Sequence, residues 1–231
     1  MACRARSYMD NVRPPRNNGW MTVANEPAIL LEARALGFLR QDELVFGPLD
    51  FVLHAGEIAL VEGDNGSGKT TLMRVLTGML RAGEGEVRLE GAAFSLDTMA
   101  GAVVFLGHHL GLKLDLSPRE NLAVSTGLYG QRDGANADAA LAEVSLAGYE
   151  DEPVRRLSAG QKKRAALARL LLVPARVWLL DEPYANLDRE GIAMVNRLLA
   201  QHTARGGAAL VTSHGAVSFA GGEPRRIRLH A

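Results

Sequence analysis

An apolar run, Ile58-Ala59-Leu60-Val61, stops at Gly63-Asp64-Asn65-Gly66-Ser67-Gly68-Lys69-Thr70, after which Leu72, Val75, Leu76, Met79 and Leu80 recur at helical spacing as far as Gly83. Strand, glycine loop and helix in that order leave few folds open. The loop satisfies G-x-x-x-x-G-K-[ST] at every fixed position. Glycines there permit positive φ, so backbone N–H groups can turn inward around phosphate oxygens, and the positive end of the following helix favours the anion. Lys69 would reach the β- and γ-phosphates of a nucleoside triphosphate, and the Thr70 hydroxyl would take one position on Mg²⁺. Gly63, Asp64, Asn65, Gly66, Ser67, Gly68, Lys69 and Thr70, with Thr71 after them, are the candidate nucleotide-binding residues. A bare glycine turn with a solvated lysine would explain neither the strand before it nor the helix after it.

The rest of the chain alternates in the same way. Strands are expected at residues 29–33, 49–53, 87–89, 103–106, 177–180 and 208–212, and helices from Ser117-Pro118 onward, at 137–146, 161–172 and 192–202. That pattern is α/β, a mixed or parallel sheet covered by helices. Residues 28–231 read as one domain, with a helical insert at about 108–157. Apolar residues make up 47% and charged residues 23%, so a sizeable core can be buried. Lys plus Arg and Asp plus Glu both equal 26, which leaves no net field to attract nucleic acid or anionic lipid over distance; no nucleic-acid partner is expected. Cys3 is alone, so no internal disulfide or zinc cluster is expected and a reducing compartment fits. No apolar stretch reaches the roughly 18–20 residues that span a bilayer; residues 167–180 are interrupted by Arg169, Pro174 and Arg176. Residues 1–27 hold Arg4, Arg6, Arg13 and Arg16 but no apolar core, and are expected to be a disordered extension with Met21 the better start.

Two further elements lie downstream. Val177-Trp178-Leu179-Leu180 ends in Asp181-Glu182. Alternation along a strand points the two carboxylates in different directions, which suits Asp181 to Mg²⁺ and Glu182 to polarising an attacking water. Taken alone, such a pair is an ordinary solvated turn; downstream of a phosphate loop it acquires a role. About twenty residues ahead of it, Ser158-Ala159-Gly160-Gln161 offers a cap for the helix 161–172 and free N–H groups at its positive end.

Leu157-Ser158-Ala159-Gly160-Gln161, Leu179-Leu180-Asp181-Glu182-Pro183, Asn186-Leu187-Asp188 and Ser213-His214 together resemble the signature, Walker B, D-loop and switch-histidine motifs of ATP-binding-cassette (ABC) ATPases, in order and spacing. The resemblance covers residues 28–231. It implies a P-loop NTPase cassette: α/β, with a mixed sheet, a RecA-like core and an inserted α-helical subdomain. It implies ATP and Mg²⁺ as ligands, Lys69, Glu182 and His214 as catalytic residues, and Thr70 and Asp181 on the metal. It also implies a head-to-tail homodimer in which Ser158, Gly160 and Gln161 of one copy close over ATP held by the other. Two positions depart from the family pattern. His108 stands where a glutamine usually senses Mg²⁺ and water, and is counted among the nucleotide-site residues. The aromatic that usually stacks on adenine has no clear counterpart: Phe38 is near, while the spacing favours Arg40.

Phe105-Leu106-Gly107-His108-His109, Gly111-Leu112-Lys113, Glu120-Asn121-Leu122 and Asp181-Glu182-Pro183-Tyr184, with the segment 201–207, resemble the ATP-binding subunit family of cytochrome c biogenesis heme exporters. That resemblance implies separately encoded inner-membrane partner subunits, a place on the cytoplasmic face of that membrane, and ATP hydrolysis serving heme export or release of a heme-loaded chaperone. Two other classes stay open on the residues alone. A soluble cassette ATPase of ribosomes or DNA repair would not co-fractionate with membranes, and a small-metabolite kinase would pass phosphate to an acceptor other than water.

Overall fold

In the computed structural model, which describes residues 27–213 and 223–229, the chain opens with a long hairpin, β1 (Ile29–Arg40) and β2 (Glu43–His54). Both strands run well past the expected 29–33 and 49–53. Gln41 and Asp42 take φ of 51° and 64°, so two residues suffice to reverse the chain in the sense that matches strand twist. β3 (Ile58–Glu62) leads through the glycine loop into α1 (Lys69–Leu76). β4 (Glu84–Leu89), β5 (Ala92–Ala93) and the single turn α2 (Leu96–Met99) precede β6 (Val103–Leu106). Helices follow: α3 (Pro118–Tyr129), α4 (Ala137–Glu143), a 3₁₀ turn at Val154–Arg156, and α5 (Ala159–Leu172). The chain then alternates through β7 (Val177–Asp181), α6 (Arg189–Ala204), β8 (Ala208–Thr212) and β9 (Arg225–Arg228).

Two sheets result. One is antiparallel in the order β2-β1-β4-β5, and the other is parallel in the order β6-β7-β8-β3-β9. The parallel sheet is covered on both faces, and its side chains alternate between two cores. Trp178, Leu180, Ala209, Val211, Leu60 and Leu106 face the core built with α3 to α6. Val177, Leu179, Ala208, Leu210, Ala59 and Val61 face α1 and the antiparallel sheet. β7 is buried along its whole length, which is why it reads as an unbroken apolar run rather than an alternating one. Leu122, Leu141, Val144 and Leu146 from residues 108–157 join the same core as the sheet face beneath them.

Three helices differ from their sequence pattern by three residues or more at one end, each for a local reason. α1 ends at Leu76 rather than near Leu80, because Gly78 takes φ of 70° and the N–H groups of Thr77 and Gly78 close on Met73 and Val75; Met79 is left exposed. α4 ends at Glu143 because Ser145 is left-handed at φ 60°. α6 begins at Arg189, where the Asp188 carboxylate accepts from Gly191 N at 2.8 Å.

Candidate nucleotide-binding site

Register across the parallel sheet sets Val61, Thr212 and Asp181 in one row, with Leu60, Val211, Leu180 and Leu106 in the row behind. Segments leaving the carboxyl ends of these strands therefore share one edge, the place where open α/β sheets bind ligands. The glycine loop leaves from β3, His108 from the end of β6, and Glu182 from β7.

The loop is shaped for an anion. Gly66 and Gly68 take φ of 89° and 91°, and Gly68 begins α1 with no side-chain cap. The first N–H groups of α1 thus have no acceptor of their own within the helix. A Cβ on Gly63 would lie 2.4 Å from Ser67 Oγ, and one on Gly68 would lie 3.1 Å from Val45 O, so β2 leans directly on the loop. Lys69, 6% exposed, folds back so that Nζ donates to Gly63 O at 2.6 Å and Asp64 O at 2.9 Å. Ser67 N donates to Asp64 O at 3.1 Å, while Ser67 Oγ is buried without a hydrogen-bond partner. Orphan backbone donors, an ammonium and an unsatisfied buried hydroxyl in one concavity form a donor set that fits phosphate. Asn65 and Gly66 are exposed; the Thr71 side chain is buried, and its N–H belongs to the first turn of α1, where the helix itself supplies no acceptor.

The acidic pair is held from both sides. Asp181 is 3% exposed and accepts from Thr212 Oγ1 at 2.6 Å; the same hydroxyl accepts from Glu182 N at 3.0 Å. On the other flank Lys163, 5% exposed on α5, donates Nζ to Glu182 O at 3.0 Å. Burial pulls the Lys163 ammonium below its ordinary range, while the Asp181 and Glu182 charges push the other way. Glu182 itself sits at φ 51°, a conformation a non-glycine residue keeps only when its surroundings impose it. Thr70 and Asp181 would supply one hydroxyl and one carboxylate to a metal, the sparse protein donor set that suits Mg²⁺ when phosphates and water fill the remaining positions.

Ser158 caps α5 in a capping box: its Oγ accepts from Gln161 N at 3.2 Å and its N donates to Gln161 Oε1 at 2.9 Å. Gly160 lies against the D-loop, where a Cβ would stand 3.3 Å from Asn186 O. Arg164, one turn on, pairs with Asp188 at 3.0 Å. Among the described residues no hydrogen bond joins Ser158, Gly160 or Gln161 to the loop 63–70 of the same chain. His108 and His109 are exposed and meet edge to face, with centroids 5.8 Å apart. Phe38 stacks on Phe46 at 6.4 Å, whereas Arg40 is exposed at the hairpin turn. His214 lies outside the described residues.

Sequence reasoning missed Thr212 and Lys163. Thr212 is a hydroxyl closing an apolar run, and Lys163 is a cation on the stripe of α5 that also carries Ala166, Leu167 and Leu170. A charge on a buried stripe was the available signal.

The chain matches the ABC transporter family over residues 46–185. A cytochrome c biogenesis ATP-binding export protein of Xanthomonas campestris pv. campestris (strain 8004) is 55% identical over 202 residues, spanning 87% of this chain and 94% of that protein. Its namesake in Methylococcus capsulatus is 50% identical over 192 residues, spanning 82% and 93%. Among solved structures, an ATP-binding subunit of an ABC transporter superposes with a TM-score of 0.73 at 22% identity, covering 80% of this chain and 79% of that one. A putative ABC transporter ATP-binding protein from Pyrococcus furiosus gives 0.72 at 24% identity, covering 87% and 97%. The phosphate loop, the braced acidic pair and these likenesses agree: the chain belongs to the ABC transporter family, among the ATP-binding export proteins of cytochrome c biogenesis.

Proposed function

We propose that this chain is the ATP-hydrolysing subunit of a membrane complex that serves heme export, or release of a heme-loaded chaperone, in cytochrome c biogenesis. Backbone N–H groups of residues 65–71 and the Lys69 ammonium hold the triphosphate, and Ser67 donates its buried hydroxyl to it. Thr70 and Asp181 hold Mg²⁺, which would offset charge on the β- and γ-phosphates. Glu182 orients and polarises the attacking water, and His214 keeps that water and the γ-phosphate in line. Ser158, Gly160 and Gln161 of a second copy close the site from above, which makes the homodimer the hydrolysing unit. His108 reports nucleotide state from the loop after β6. Among the described residues no helix is long and apolar enough to cross a membrane, so in this reading separately encoded inner-membrane subunits supply the pathway and hold the chain at the cytoplasmic face.

One observation carries the reading: Thr212 braces Asp181 and Glu182 at the sheet edge from which the phosphate loop also departs. Glu182→Gln is the test. It should keep ATP affinity and lower turnover by about two orders of magnitude or more, with closed dimers accumulating on ATP as seen by size-exclusion chromatography. Unchanged turnover would remove Glu182 from the reaction.

A further inference from the structure

Within the segment 182–186 two non-glycine residues are left-handed, Glu182 at φ 51° and Asn186 at φ 62°. Neither conformation holds itself, so the segment keeps its shape only as far as its neighbours pin it. At its start Thr212 Oγ1 accepts from Glu182 N, Lys163 Nζ donates to Glu182 O, and Ala185 N gives that carbonyl a second donor at 3.2 Å. Beyond its end Asp188 caps α6 and pairs with Arg164. Between these anchors stands Tyr184. Its ring packs against the core shared by α3 to α6, and its hydroxyl donates to Asn196 Oδ1 on α6 at 2.8 Å. Leu187 N closes on Tyr184 O at 3.3 Å, and Gly191 leaves the room that Leu187 needs, since a Cβ there would lie 2.9 Å from Leu187 Cβ. Burial raises the phenol above its ordinary range, so the group keeps its proton and stays a donor.

Resting on the reading that Glu182 orients the attacking water, we propose that Tyr184 and Asn196 are positioning residues for hydrolysis: the hydrogen bond between them ties the Glu182 turn to α6 and sets where the carboxylate stands. Pro183 separates Glu182 from Tyr184. Its ring fixes φ, so a shift of Tyr184 passes back to Glu182 with one torsion fewer to absorb it. Packing alone would be met by phenylalanine against an apolar residue. A hydroxyl and an amide add direction, because their bond fixes the place of the ring along α6. Thr212 and Lys163 hold the backbone of Glu182 from the sheet and from α5, and Tyr184 supplies the third support, from α6.

The experiment measures steady-state ATP hydrolysis by the full chain for Tyr184→Phe, Asn196→Leu, the two together, and Asn196→Asp, which still accepts from the phenol. Tyr184→Phe is also made in the Glu182→Gln background and followed in single turnover. Tyr184→Phe should lower kcat about fivefold, the size of one neutral hydrogen bond, and leave KM for ATP within about twofold. Asn196→Leu should lose at least as much, and the double variant no more than Asn196→Leu alone. Asn196→Asp should keep kcat within about twofold of wild type, whereas a role in packing alone would not distinguish it from other changes at this position. With Glu182→Gln already present, Tyr184→Phe should change the residual rate by less than about twofold, because the group it positions is gone. An unchanged kcat in Tyr184→Phe, additive losses in the double variant, an Asn196→Asp as slow as Asn196→Leu, or a loss that persists beside Glu182→Gln overturns the proposal and leaves Glu182 in its role. Unchanged turnover in Glu182→Gln by itself overturns the reading of Glu182 and the proposal with it.

Discussion

Thr212→Val separates the braced acidic pair from everything else in the site. The side chain is fully buried, and valine replaces its hydroxyl with a methyl of nearly the same size, so no cavity opens. Two hydrogen bonds go: the donation to the Asp181 carboxylate at 2.6 Å and the acceptance from Glu182 N at 3.0 Å. A bond to a charged group contributes about 1.5–3 kcal/mol and a neutral one about 0.5–1.5, so the variant should be about 3 kcal/mol less stable. For a domain of this length that is a fall in Tm of about 6–12 °C. Turnover should fall as well, because Glu182 is held at φ 51° partly through that N–H, while ATP affinity, which rests on the loop 63–70, should stay within about twofold. Urea unfolding, steady-state hydrolysis and nucleotide titration on one preparation give the three numbers. Thr212→Ser should recover most of each loss. In a double-mutant cycle with Asp181→Asn, the two substitutions should couple by about 1–2 kcal/mol. Stability within 0.5 kcal/mol of wild type, or additive losses in the cycle, would refute the idea that one hydroxyl ties both carboxylate positions together.

Lys163→Met should lower turnover about tenfold with little change in ATP affinity, since Lys163 holds the Glu182 carbonyl from the side of α5; Tm should fall by a few degrees, because that carbonyl loses its charged donor and the acidic pair loses a neighbouring cation. Equal losses in affinity and turnover would count against a positioning role. A separate test concerns His202, which stacks on Trp178 at 3.8 Å and shares Nε2 between Arg176 O and Ala208 O. Burial pushes this imidazole down to about 4, so the unfolded chain binds a proton between pH 6.5 and 4 that the folded chain refuses. Its share of stability is full above pH 6.5 and falls by about 3 kcal/mol as the pH drops to 4. His202→Gln should flatten the pH–stability curve across that window by this amount, and a curve parallel to wild type would exclude the assignment.

What was legible in the chain was local. The glycine loop, the strands 103–106 and 208–212, the cap at Ser158 and the acidic pair after an apolar run are patterns a few residues long, and steric and hydrogen-bonding rules act over that distance. The hairpin's length was not legible, because it depends on Gln41 and Asp42 accepting positive φ, which neither residue type announces. Nor was the end of α1, where Gly78 outweighed two more apolar residues at helical spacing.

The order of residues alone determined that a glycine loop after a strand, an acidic pair closing an apolar run and a capped helix tip would exist, since each is built from consecutive residues whose backbone needs are met locally. Only the folded chain decided what braces them. Thr212 meets Asp181 across 31 positions and Lys163 meets Glu182 across 19, pairings set by strand register and by how α5 lies on the sheet. Such contacts are chosen by burial of two long apolar faces against each other, a sum over dozens of side chains. No short stretch of sequence contains that sum.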